Sequence, residues 1–449
     1  AFVHETGEHN CMRPMWMEER GTSGTLADTW IVCGCDKERS MSHAARDKLH
    51  ALGFCSGRRP WLGAASREKC DSPAKLLVRS ASNAYFPQMV SVISIPDGID
   101  DLSGLVRNLW DKGLKTTQDH VPLAILRKIS AIGDSIKDYT DAQVSTAIDA
   151  FLAKSPIDEK PVKEVEFEAL SNVTDESGSD EPNGDFYAKS MPEDHWKKNK
   201  PWMDSFDKVV LVHRLREVIA QIGFTRFEAS SQQLDGELDL DVELAPLSRN
   251  QDWLPASENR GEGIYLEFNS DSIAHWMQND AVKERASILA AGFESKYEDS
   301  EKRPFHGATF YMIHSFSHIL MTQISLECGY PSSSIRERVY VTPDGYGLLI
   351  YTGSSDAQGT LGGLIQSGRN ISDIIRRALI SSELCSNDPV CSHDKPNPEI
   401  QRELLGAACH GCQLVAETSC EWCNSFLDRE LVVRTMRRSG AEFFHNYEF

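Results

Sequence analysis

The chain has no apolar run of about 18 residues, the length a helix needs to cross a bilayer, so no membrane span is expected. It opens Ala1-Phe-Val-His4, with no initiator Met, basic n-region or apolar h-region. We therefore expect no secretory leader, further residues ahead of residue 1, and a cytoplasmic protein. No Gly-Lys-Ser/Thr ending completes a phosphate-binding loop, which excludes a P-loop ATPase within this chain. There is no G-x-S-x-G nucleophile elbow and no H-x-E…P-C-x-x-C deaminase pairing. No repeat or heptad run is present. A basic surplus is missing too: 47 Lys and Arg stand against 67 Asp and Glu, a formal net charge of −20. A protein that grips a polyanion alone usually carries the opposite balance. Such a chain either avoids nucleic acid or docks on a basic partner and adds local contacts.

What is present is a soluble composition, 40% hydrophobic and 25% charged over 449 residues, with 12 cysteines. That length allows two to four domains. Residues 1–95 are dense in Cys, Gly, Arg and Trp and read as short strands and loops. Apolar residues at three-and-four spacing predict helices across 101–155. Residues 156–200 are acidic, with Asp175-Glu176-Ser-Gly-Ser-Asp180, and read as a solvated linker. Residues 206–230 read as an amphipathic helix stopped by Gly223. A strand is expected over 261–268, entered through a glycine turn at Gly261. Another is expected over 345–352, and helices at 281–290, 310–326, 372–381 and 428–438. The mixture lacks steady β-α alternation, so the fold class is α+β. We expect three parts: an N-terminal Cys-rich lobe over 1–100, a mostly helical middle over 101–230, and a mixed C-terminal domain over 231–449.

The cysteines cluster. Cys409-His-Gly-Cys412 is a C-x-x-C knuckle, whose two thiolates can reach one ion from a single tight turn. Cys385 and Cys391 precede it and Cys420 and Cys423 follow; zinc takes four ligands, so of these six thiols two are spare or a second ligand set exists. Four thiolates close such a site and leave no position for a water nucleophile, which makes it structural. A second set, Cys33, Cys35, Cys55 and Cys70, can complete another Cys₄ site at looser spacing. Beside it, Arg58, Arg59 and Trp61 in Gly57-Arg-Arg-Pro-Trp61 can hold phosphate and stack on a base.

Two motifs point elsewhere. His314 and His318 lie four apart, as in a metalloprotease helix, but Ser315 stands where the general-base Glu belongs. Buried, hydrogen-bonded histidines are the plainer reading. With Asp356 and the nearby carboxylates they are the candidates for a cryptic nuclease. Gly359-Thr-Leu-Gly-Gly363 after a strand is a weak phosphate cradle.

Several of these pieces resemble a known family. His314-Ser-Phe-Ser-His318, Ser334-Ile-Arg-Glu-Arg338, Gly359-Thr-Leu-Gly-Gly363, Cys409/Cys412, Cys420 and Leu427-Asp-Arg429 resemble the zinc-binding domain of MrfA-type superfamily-2 helicases. Glu18-Glu-Arg-Gly-Thr-Ser-Gly24, Cys55-Ser-Gly-Arg-Arg-Pro-Trp61, Arg79-Ser-Ala-Ser-Asn-Ala-Tyr-Phe-Pro87 and Val212-His-Arg-Leu-Arg-Glu217 resemble the DrmB family of DISARM antiphage systems. The resemblance runs over most of the chain. Two departures stand out: Asp36 follows Cys33-Gly-Cys35 where a Gly is expected, and Cys423 is extra.

The resemblance implies a non-catalytic subunit in antiviral defence, paired with a DrmA-like helicase that supplies the ATPase, and helping to bind invading DNA. The zinc ligands would be Cys391, Cys409, Cys412 and Cys420, with Cys385 in reserve, plus Cys33, Cys35, Cys55 and Cys70. The expected DNA contacts are Arg58, Arg59, Trp61, Arg79, Arg336 and Arg338. The competing readings are a scaffold or regulator that touches no DNA, favoured by the charge, and the cryptic nuclease.

Overall fold

The structure is a computed structural model. It describes residues 13–20, 29–40, 57, 59–63, 85–95, 106, 109–110, 112–119, 122–133, 135–137, 139–152, 160–181, 184–226, 244–249, 253–296, 305–353, 362–396, 404–445 and 447. These residues fall into two compact units. The first is drawn from 1–89, 220–230 and 240–255, the second from 90–219, 231–239 and 256–449.

In the first unit, β1 (Met15–Glu19), β2 (Thr29–Cys33) and β3 (Glu38–Ser40) form an antiparallel meander in the order β1-β2-β3. Arg20 ties it by bonding Glu18 at 3.0 Å and Glu38 at 2.6 Å. Cys33 ends β2, and Cys35 lies in the turn that follows. Asp36 has φ 66°, a left-handed conformation in which Gly is favoured and Asp is tolerated. This is the position where the family pattern led us to expect glycine.

The second unit is built on a seven-stranded sheet. Its strands are β5 (Glu176–Gly178), β6 (Phe186–Ser190), β7 (Phe206–Arg226), β8 (Ala256–Phe268), β9 (Ile335–Thr342) and β10 (Gly345–Thr352). They run in the order β5-β6-β7-β8-β10-β9, with β4 (Tyr85–Ser94) also pairing with β7. The pairings of β10 with β8 and β9 are antiparallel, with Leu348 opposite Leu266 and Ile350 opposite Glu337.

Period-two alternation sends side chains to two apolar layers. One layer takes Val209, Leu211, Ile264, Leu266, Phe268, Val339, Leu348 and Ile350. It packs on α3 (Ser270–Trp276), α4 (Asp280–Lys296), α5 (Gly307–Cys328) and α7 (Ile371–Ser382). The other layer takes Val210, Val212, Leu215, Tyr265, Tyr340, Leu349 and Tyr351, which pack on Phe167 and Leu170 of α2 (Val162–Ser171). A third small core, including Val106, Leu126, Ile132 and Val144, joins the helical segments ahead of α2, among them α1 (Asp141–Leu152).

Covering on both faces explains the largest revision. Residues 206–226, expected as an amphipathic helix, are a strand. A strand buried on both sides carries an apolar run such as Val209-Val-Leu-Val212 rather than strict alternation. The acidic stretch expected as a linker is also folded. It supplies α2, β5 and β6, because Phe167, Leu170, Val173, Phe186 and Trp196 recur among its charges and are buried. The expected helix over 428–438 is reduced to one turn at Arg429–Leu431, since Asp428, Arg429 and Glu430 are buried and held by side-chain bonds. Helices α4, α5 and α7 and strand β10 fall where periodicity puts them. Among the described residues, no helix is long and apolar enough to cross a membrane.

Gly261 does not make the turn expected of it; it lies inside β8. A Cβ there would sit 2.3 Å from the Thr352 carbonyl oxygen and 2.5 Å from its hydroxyl. Gly261→Ala is therefore expected to destabilise the protein by about 1–3 kcal/mol through overpacking. Chemical denaturation checks this, with Gly263→Ala, where the closest atom is the Leu349 Cδ1 at 3.0 Å, expected to cost less.

Candidate metal centre

Cys385 follows α7, Cys391 opens a short helical turn, and Cys409 and Cys412 close the knuckle. Their sulfurs all lie within 4.8 Å of one another. The individual separations are 3.4 Å for Cys385–Cys409, 3.6 Å for Cys391–Cys412 and 3.8 Å for Cys409–Cys412. Sulfurs 2.3 Å from a tetrahedral zinc are about 3.8 Å apart, so the donor set fits zinc. The backbone supports it. The Asn387 amide donates to Cys385 Sγ and the Gly411 amide to Cys409 Sγ, each at 3.4 Å. A Cβ at Gly411 would meet Ser386 Oγ at 2.9 Å, so a larger residue there needs that side chain to move. The cluster divides its protons unevenly. The hydrogen bond from the Cys391 thiol lowers the Cys412 pKa to about 6, and the same contact together with burial raises that of Cys391.

A buried ion pair shapes the loop that carries the first two thiols. Asp388 accepts the Cys385 and Ser392 amides at 2.9 and 3.0 Å and is gripped by Arg429 at 3.0 and 3.1 Å. Arg429 also donates to the Ser382 carbonyl at 2.8 Å. Its neighbour Asp428 takes the Ala407 amide at 3.0 Å and the Arg285 guanidinium at 2.6 Å, ahead of the knuckle. The Leu427-Asp-Arg429 motif is thus scaffolding for the thiol cluster. Asp388 and Arg285 carried no sequence signal that would have marked them for this.

Cys420, expected among these ligands, lies elsewhere, and Cys385 completes the thiol set in its place. Cys420 is gathered with His314, His318 and Glu337 in a second, fully buried group. Cys423 belongs to neither group. His314 and His318, the histidines of the nuclease alternative, are fully buried. Asp356 lies outside the described residues. Residues 359–361 of the expected phosphate cradle lie outside the described residues; at its end the Glu262 carboxylate accepts the amides of Gly362 and Leu364, both at 2.7 Å. These belong to the start of α6 (Gly363–Gly368), and burial raises the Glu262 pKa against the pull of those amides.

At the other end, Cys33 is buried and Cys35 half-buried, while Cys55 and Cys70 lie outside the described residues. Of the expected DNA contacts, Arg58 and Arg79 also lie outside them. Trp61 is 43% exposed, with its indole N–H donating to the Pro246 carbonyl at 2.9 Å and its ring edge on Phe224. Arg59 is half-buried in the same turn. Arg336 pairs with the buried Glu217 at 3.1 Å. Arg338 cannot be a DNA contact. It points to the α2 face, is buried, and is bonded to Glu166 at 2.8 Å and to the Ser91 carbonyl at 2.9 Å. Strand alternation turned it inward, which the -Arg-Glu-Arg- text alone does not reveal.

The sequence matches two family models: a domain of unknown function, DUF8724, over residues 1–86, and the MrfA Zn-binding domain over residues 316–413. The second match contains all four clustered thiols. The DISARM protein DrmB of Bacillus paralicheniformis is 32% identical over 99% of this chain and 79% of its own length. The crystal structure of the DUF1998 helicase MrfA bound to DNA aligns over 47% of this chain and 23% of that helicase, at 13% identity and a TM-score of 0.23.

Arg338→Ala strips one partner from a buried ion pair and is expected to cost about 3–5 kcal/mol of stability. Thermal melting checks this. Loss of DNA affinity with an unchanged melting curve would restore Arg338 to the surface.

Proposed function

The chain belongs to the family of the DISARM protein DrmB, and from that premise we propose that it is a non-catalytic, zinc-stapled accessory subunit of an antiphage complex. It pairs with a superfamily-2 helicase of the DrmA kind and helps that motor bind or recognise invading DNA. The observation that carries this reading is the 32% identity over 99% of the chain. The physical details agree with it. A Cys₄ zinc site is closed and structural, and the helix start that resembled a phosphate cradle is filled by Glu262. ATP hydrolysis then belongs to the partner. The DNA contacts are drawn from Arg58, Arg59, Trp61 and Arg79, with Arg336 secondary because Glu217 already holds it.

The net charge of −20 favours a second reading, a scaffold that touches no DNA. Gel shifts with this chain, its helicase partner, and the two mixed separate these readings. The accessory reading expects co-elution and tighter DNA binding by the mixture than by either protein. Changing Arg58, Arg59 and Arg79 to Glu, with Trp61→Ala, should then weaken the mixture and flatten its salt dependence. Equal binding by the partner alone would leave the scaffold.

The zinc ligands we propose are Cys385, Cys391, Cys409 and Cys412, and Cys33 with Cys35 remain candidates for a second thiolate site. Cys409→Ser should release zinc and abolish soluble expression or lower the melting temperature sharply, because zinc affinity is part of the folding free energy. Arg429→Gln should lower zinc affinity about 10–100-fold through the lost support of the Cys385–Cys391 loop. Competition with a chromogenic chelator measures both; unchanged zinc retention in either variant counts against the assignment.

A further inference from the structure

We propose that His314, His318, Glu337 and Cys420 form a second metal site, a closed zinc centre with mixed nitrogen, oxygen and sulfur ligands. It stands on geometry independent of the DNA reading and of the thiol cluster. Two imidazoles project from successive turns of α5, one carboxylate from β9, and one thiol from the segment after the knuckle. All four side chains are fully or nearly fully buried. Their candidate ligand atoms lie within 4.8 Å of one another. His314 Nε2 is 2.9 Å from Glu337 Oε1 and 3.2 Å from Cys420 Sγ, and His318 Nε2 is 3.3 Å from the same carboxylate oxygen. Ligands 2.0–2.3 Å from a tetrahedral zinc lie about 3.3–3.8 Å apart.

Three details distinguish this group from an ordinary buried hydrogen-bond network. The first is His318. Its Nδ1 lies 2.7 Å from the Gln413 carbonyl oxygen, which can only accept, so Nδ1 carries a proton. In the neutral ring Nε2 then presents a lone pair to the Glu337 oxygen. Two electron-rich atoms facing each other in a dry interior need a cation between them, which a metal ion supplies as well as a second ring proton would. An imidazole locked by a carbonyl on its far nitrogen is also the usual arrangement of a metal-bound histidine.

The second is Cys420. Its sulfur accepts amides from Trp422 at 3.3 Å and Asn424 at 3.2 Å. The donor two residues on repeats what Asn387 does for Cys385 and Gly411 does for Cys409. The third is Glu337, whose second oxygen is held by the Ser317 hydroxyl, leaving the first turned to the histidines. One thiolate and one carboxylate balance a divalent ion, and the mixed donor set suits zinc. On binding, the Cys420 thiol gives up its proton to solvent. With four protein ligands the centre has no open position, so its role is to lock α5, β9 and the 413–424 segment together.

The test is X-ray absorption at the zinc edge on the intact, untagged chain. We expect outer-shell imidazole scattering beside the sulfur shell. A shell of sulfur alone overturns the second site and leaves the Cys₄ site standing, and a chain holding no zinc overturns both. Metal analysis of the folded His318→Gln variant adds a second reading. It should hold one zinc equivalent fewer than the unmodified chain, and equal content overturns the proposal. Should His318→Gln fail to fold, the spectrum of the unmodified chain decides alone.

Discussion

Strand β9 is an edge of the sheet, and an edge presents backbone groups with no strand to pair with. Here the chain's later segment satisfies them. The Glu337 amide donates to the Ser419 carbonyl at 3.1 Å, and the Val339 amide to the Glu421 carboxylate at 3.1 Å. The Val339 carbonyl accepts from Lys163, which also pairs with Glu421 at 2.7 Å. Residues 419–421 thus lie along β9 almost as another strand would. That contact fixes Cys420 opposite Glu337 and within reach of α5, and it closes one end of the 413–424 segment whose other end is the knuckle. The two candidate centres are therefore parts of one arrangement that seals a sheet edge.

Alternation along β9 divides its chemistry. Glu337 faces α5 and the histidines, while Arg338 faces α2 and Glu166. Neighbouring charges of opposite sign go to opposite faces of the sheet, and each meets a partner there. On the α2 face, Arg338, Glu166, Lys163 and Glu421 neutralise one another in a second buried cluster. Such pairs add little net stability against an apolar filling, but losing one member is costly.

Local pattern made part of this legible. Helix α5 was readable because its apolar residues cover every side, and β10 because glycines bound a β-branched and aromatic run. The C-x-x-C spacing marked the knuckle, and the His314/His318 spacing marked a pair on one face. The remainder depends on distant partners. A strand covered on both faces and a buried helix share an apolar run, so β7 was misread. Six cysteines at one end offered no means of seeing that Cys385 sits with Cys409 while Cys420 sits with Glu337. Arg336 and Arg338 looked like a basic patch because inward and outward positions of an edge strand cannot be told apart until its register is known.

The pairing of Lys163 with Glu421 joins residues 258 positions apart in the chain. Synthesis runs from the N-terminus, so α2, the sheet and α5 have all left the ribosome well before Glu421 does. Throughout that interval β9 is an uncovered edge, Lys163 is an unmatched charge, and a helix apolar on every side lacks part of its cover. The nascent chain is most exposed to misassembly then. A chaperone or partner that shielded this stage would have to act before the last cysteines arrive.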